Sequence, residues 1–141
     1  MTISLEAARS IIAAARAHAR ETECKPMTVV VLDAGGHVLA VEREDGSANK
    51  RFEIAFGKAH GALSLGMGSR ALMARAEQQP YFIAAVTSAV GGALVPVPGG
   101  VLVQDGDRVV GAVGVTGDTS DKDEAVAVAG IEAAGLTAQT G

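Results

Sequence analysis

Cysteine, aromatic residues and clustered positive charge are what this chain has least of. A single thiol, Cys24, cannot close an intrachain disulfide and cannot build a zinc or iron-sulfur centre from cysteines. There is no Trp, one Tyr and three Phe, so a core of large rings is excluded. Twelve Lys and Arg against 16 Asp and Glu give a net charge of -4 with no basic cluster, which leaves no electrostatic footprint for a nucleic acid backbone. Apolar runs are short and broken by Gly or charge, so no bilayer span is expected. The first residues carry no charged segment followed by an apolar one, and with the lone thiol this points to the cytoplasm.

What the chain does have is small residues. Its 141 residues include 27 Ala and 18 Gly, roughly a third of the total, so closely packed small faces and further burial by self-association are expected. The length suits one domain over residues 1–141.

Ser4 can cap a helix running to about Thr22, with Leu5, Ala8, Ile12, Ala15 and Ala19 on one stripe. After Pro26, Met27 to Leu32 and His37 to Arg43 read as a hairpin around Asp33-Ala34-Gly35-Gly36. From about Lys50 to Gly66 the period is helical, and Phe52, Ala55, Ala59 and Ala62 share a flat face. Ser69 can cap a short helix to Glu77, and Pro80 opens another to about Val90. Val101 to Gln104 and Arg108 to Val115 form a second hairpin around Asp105-Gly106-Asp107, and Ser120 can cap a last helix. Without βαβ alternation, an α+β fold follows, an antiparallel sheet with helices on one face. Met27 to Leu32 and Val109 to Val115 are apolar on both strand faces, so a second subunit is expected to cover the other face.

Two short patterns carry no function. Gly66-Met67-Gly68-Ser69-Arg70-Ala71 matches a loose dinucleotide fingerprint but follows a helix where that fingerprint needs a strand. Ala62-Leu63-Ser64-Leu65-Gly66 resembles a nucleophile elbow but lies inside a helical pattern.

The histidines are the versatile groups, able to ligate a metal or haem iron or to move protons near neutrality. His18 sits at the margin of the first helix's apolar stripe, where it either enters a pocket or reaches solvent, and His37 reads as a surface residue at a strand end. His60 and Lys58 are about 200° apart on one helix, so they flank its small face on opposite sides and do not form an acid-base pair. Lys58 either forms a buried ion pair with Asp33 or Asp45 or binds an anionic group, and the same choice applies to Arg43 and Asp45.

Read together, Val30 to Ala40 with Asp33-Ala34-Gly35-Gly36, Arg43, Asp45-Gly46, Lys58-Ala59, Pro98-Gly99-Gly100, Asp105-Gly106, the Gly111-Ala112-Val113-Gly114-Val115-Thr116-Gly117 block, Asp123-Glu124 and Ala129-Gly130 resemble the GlcG/HbpS family, which includes the C-terminal domain of PduO. The resemblance spans nearly the whole chain. It implies a profilin-like, PAS-like fold with a five-stranded antiparallel sheet, assembly as a homo-oligomer (dimer or higher), and haem binding or iron handling. Position 60, often Thr in that family, is His60 here, and Leu102 stands where Pro is common.

Three functions follow as expectations. In the first, the chain binds haem or a related tetrapyrrole, with His18 or His60 as axial ligand and Arg43 or Lys58 meeting the propionates. In the second, it is a cofactor-independent lyase or isomerase of a small carboxylate or carbonyl compound, with His60 as general base and the N-H groups of Gly99 and Gly100 holding an oxyanion; the competing reading of that pair is a tight connection into a strand. In the third, it is a non-catalytic sensor or accessory module.

Overall fold

Alternation along two Val-rich strands decides the architecture. The computed structural model describes residues 2–141. In chain order the elements are α1 (Leu5–Glu21), β1 (Thr28–Asp33), β2 (Val38–Arg43), α2 (Arg51–Leu65), α3 (Ser69–Gln78), α4 (Pro80–Ala89), β3 (Gly100–Asp105), β4 (Arg108–Thr116), α5 (Ser120–Ala133) and β5 (Thr137–Gln139). The strands form one antiparallel sheet in the order β2-β1-β4-β3-β5.

Successive side chains of a strand point to opposite faces. Val29, Val31, Val101, Val103, Val113 and Val115 therefore meet Ile11, Ile12 and Ala15 of α1 and Val126 and Ile131 of α5 on one side. Val30, Leu32, Leu102 and Ala112 meet Ala55, Ala59 and Ala62 of α2 on the other. Burying each Val, Leu or Ile contributes about 1.5–3 kcal/mol. The sheet is thus covered on both faces by helices of its own chain, which corrects the expectation of helices on one face with a second subunit over the other. The second face is apolar, as the strand sequences require, and α2 is what lies on it.

Small residues set the α2 to β4 distance. A Cβ at Gly114 would collide with the Ala55 carbonyl oxygen and lie 3.1 Å from the Ala59 methyl. Beyond α2, the α3–α4 pair closes a satellite core around Leu72, Ile83 and Leu94.

Ser4 caps α1, its hydroxyl accepting from the Ala7 N-H at 3.1 Å. Two other caps differ from expectation. Thr119, not Ser120, caps α5 by accepting from the Lys122 N-H, and Ser69 is already helical with its hydroxyl turned inward onto β3. β5 has no signature in its residues and exists because the edge of β3 is there to pair with. No helix among the described residues is long and apolar enough to cross a membrane.

Candidate functional site

The central helix α2 has three differently used sides. Its Ala side lies on the sheet. Phe52, Phe56 and His60, at steps of four, share one flank, since residues four apart are neighbours on a helix. Their rings stack in sequence, with centroids 5.9 Å apart for Phe52–Phe56 and 5.2 Å for Phe56–His60. All three are half-buried, and Phe52 and Phe56, like Val41 of β2 and Leu63, pack against the core on this face of the sheet.

The third side is made by Gly57 and Gly61, over which residues 93–95 run in close contact. The Val95 N-H donates to the Gly57 carbonyl at 3.1 Å. His60 Nδ1 lies 2.8 Å from the Ala93 carbonyl oxygen. A carbonyl only accepts, so Nδ1 carries a proton, and in the neutral ring the lone pair is then on Nε2. The His60 ring borders a hollow of about 120 Å3 lined also by Ala34, Gly35, Gly36, Leu63 and Ser64. Gly36, at φ +85°, brings the β1–β2 turn against the imidazole; a Cβ on it would stand 3.6 Å from His60 Cδ2. The turn's own amides are engaged: Ala34 N-H donates to Thr2 Oγ1, Gly35 N-H to Asp33 Oδ1, and Gly36 N-H to the Asp33 carbonyl. The backbone N-H of His37 on Asp33, with that of Gly35, holds this carboxyl below its ordinary pKa of 3.8. Among the described residues, Nε2 is thus the imidazole atom offered to a ligand.

Lys58 faces the opposite flank, as the helical angle requires. Its Nζ donates to Asp123 Oδ2 and to the Val115 carbonyl, each at 3.0 Å, and both charged side chains are about 2 % exposed. Asp123 Oδ1 accepts from the Asp118 N-H at 2.9 Å. Burial pulls the Lys58 amine below its ordinary pKa and pushes the Asp123 carboxyl above its own, while their attraction opposes both shifts. The buried pair is real, but its partner is Asp123, neither Asp33 nor Asp45. Lys58 is thereby committed inside the fold and does not border the His60 hollow, which removes it as an anchor for an anionic ligand.

Gly99 and Gly100 roof this pair. Gly99 has φ +124°, and a Cβ there would come within 2.5 Å of the Val115 carbonyl and 2.8 Å of Lys58 Nζ. The Gly100 N-H donates to Ser69 Oγ at 2.7 Å, and the same hydroxyl donates to the Gly100 carbonyl at 3.2 Å. The Gly100 amide is spent, and neither glycine lines the hollow, so the diglycine is the tight connection into β3 and not an oxyanion donor for His60.

Other sequence candidates lie elsewhere. Arg43, exposed at the end of β2, donates from Nη2 to the Ser47 carbonyl at 2.7 Å. Exposed Asp45 borders a separate cleft of about 330 Å3 with Arg16, Arg20, Cys24 and Glu44. His18 is half-exposed on α1, across the sheet from His60. His37 is exposed, 3.2 Å from the Asp33 carboxylate, as expected of a strand-end residue. Sequence reasoning missed Phe56 and the Ala93 carbonyl. The four-residue spacing from Phe52 through Phe56 to His60 could have revealed the first; nothing local could have revealed the second.

Fold and site together define a small α+β domain that presents one oriented imidazole beside an apolar aromatic shelf. The chain belongs to the HbpS-like family, described as "Haem degrading protein HbpS-like", which matches residues 3–132. Among solved structures it is similar to Klebsiella pneumoniae protein ORFY, at 28% identity and TM-score 0.87 over 96% of this chain and 92% of that one. It is similar to HbpS at 30% identity and TM-score 0.80, covering 92% and 88%. A structure of PduOC in complex with heme shares the fold, with 22% identity and TM-score 0.85 over 96% and 97%. No curated protein matches the chain.

Proposed function

We propose that this chain binds haem or a related tetrapyrrole, with His60 Nε2 as the axial ligand and the Phe52–Phe56 shelf as the apolar surface beside it. The observation that carries the reading is the 2.8 Å contact of Nδ1 with the Ala93 carbonyl. Metal-ligating histidines characteristically donate their other N-H to a carbonyl or carboxylate, which fixes the tautomer and raises the basicity of the ligating nitrogen. His60 has that arrangement already, so the donor chemistry fits an iron porphyrin. The family description and the heme-bound PduOC relative favour the same ligand class.

Size limits how it binds. Ligand pockets usually hold about 300–1,000 Å3, so the 120 Å3 hollow admits the ligating edge and not the macrocycle. His60 would hold the iron, Phe52 and Phe56 would supply apolar contact beside it, and a second copy in a homo-oligomer would cover what one chain leaves exposed. Arg43, exposed at the far end of β2 from the turn, is outside the hollow and would reach a propionate only with the guanidinium nitrogens not bonded to Ser47. When bound, haem supplies redox and dioxygen chemistry at its iron; the protein supplies the axial nitrogen, its orientation and the apolar surface. The proposed setting is the cytoplasm.

Titration with hemin tests this. A sharp, saturable Soret band is expected at one haem per chain, lost in His60→Ala and kept in His18→Ala. Loss in His18→Ala alone moves the ligand to α1, and a broad unsaturable band equal in both variants overturns haem binding altogether.

A further inference from the structure

We infer that Gly57 and Gly61 are positioning residues for His60: by letting residues 93–95 press onto α2 they hold the imidazole in its Nδ1-H form, with Nε2 ready to ligate. The consequence for haem rests on the reading above, but the tautomer does not.

The geometry leaves little slack. A Cβ at Gly57 would stand 2.6 Å from Val95 Cγ2, and one at Gly61 would stand 2.9 Å from Leu94 Cγ and 3.3 Å from Leu94 Cα. Neither glycine is paired with a turn or a positive φ; both lie inside a helix, where Gly is a poor helix former and alanine the best. Helix formation therefore gives no reason for them, whereas close approach does. Val95 sits on Gly57 and Leu94 on Gly61, and the next carbonyl along, that of Ala93, meets Nδ1. Moving this segment outward by a methyl's thickness takes that acceptor out of hydrogen-bond range. The proton is then released to either nitrogen, and Nε2-H cannot ligate.

The space at Gly57 can be exchanged with that at Val95. In Gly57→Ala the methyl meets Val95 Cγ2; in Gly57→Ala with Val95→Ala the nearest remaining atoms are Val95 Cβ and N at 3.5 Å, an ordinary contact. The measurement is the imidazole 1H-15N correlation spectrum of ligand-free protein near pH 8, where histidines are neutral, with His60 assigned by its absence in His60→Ala. Wild type is expected to show protonated Nδ1 and bare Nε2. Gly57→Ala shifts the proton toward Nε2, and the double variant restores it. Hemin affinity is expected to fall about 10–100-fold in Gly57→Ala and to return in the double variant.

An Nε2-H signal in wild type overturns the inference, as does an unchanged tautomer in folded Gly57→Ala, or a folded double variant without Nδ1-H. Should Gly57→Ala not fold, the double variant decides between these outcomes. Nδ1-H that follows the glycine space while hemin fails to bind leaves the inference standing and sinks the haem reading.

Discussion

Lys58 occupies a place where a charge is costly, and the cost is offset by two partners, Asp123 and the Val115 carbonyl, beneath the close-packed backbone of Gly99. Removing one member of such a pair leaves the other charged and buried. Lys58→Met is expected to lower unfolding stability by about 3–5 kcal/mol. Lys58→Met with Asp123→Asn should lose less than the sum of the two single losses, because the orphaned charge is gone; urea unfolding of the four proteins in a double-mutant cycle measures this, and additive losses count against coupling. Asp118, beside the pair, is held below its ordinary pKa of 3.8, first by the Lys25 backbone N-H and then by that of Thr119, against opposing burial. A depressed carboxyl contributes stability present above the ordinary value and lost as pH falls through the folded one. The melting temperature should therefore fall on acidification below pH 3.8, and less steeply in Asp118→Asn; parallel acid limbs in both proteins would refute the assignment. From the sequence, the opposite flanks of Lys58 and His60 were legible because helical angle alone sets them. Asp123 as the partner was not, since it lies 65 residues along the chain and only the packed sheet end brings it to Lys58.

Elements were read more securely than their ends. Periodicity located α1, both hairpins and α2, because an Ala or Val stripe betrays a buried face. Caps were harder: Thr119 and Ser120 both suit a helix start, and only the hydroxyl that meets the Lys122 amide settles which one acts. β5 was invisible as a pattern, three residues long and without apolar alternation. The α2 to β4 contact, by contrast, is written in glycine and alanine. Gly114→Val puts new atoms against the Ala55 carbonyl and Ala59 methyl, an overpacking expected to cost about 1–3 kcal/mol or more. Chemical denaturation checks it, and wild-type stability in that variant would mean that α2 can withdraw from the sheet freely.

For the molecule as a whole, both sheet faces are already covered, so apolar strands no longer argue for a second subunit. What assembly would now use is different in kind. Residues 78–104 carry no charged side chain, and within them α4 turns outward Ala84, Ala85, Ser88 and Ala89 together with Tyr81, 71 % exposed. β2 is an edge strand with Val38 exposed. Static light scattering at micromolar concentration should give a mass of at least twice the 14.2 kDa chain; a steady monomer mass excludes the homo-oligomer.

The sheet order has a kinetic consequence. β1 is flanked by β2, its immediate successor, and by β4, which pairs Thr28 with Thr116 and Asp33 with Gly111. At about 5–20 residues per second a ribosome needs several seconds to make the intervening chain. Throughout that interval the nascent β1–β2 hairpin offers one bare valine-rich border to any extended strand nearby, so aggregation during overexpression should be most sensitive to how soon β4 arrives.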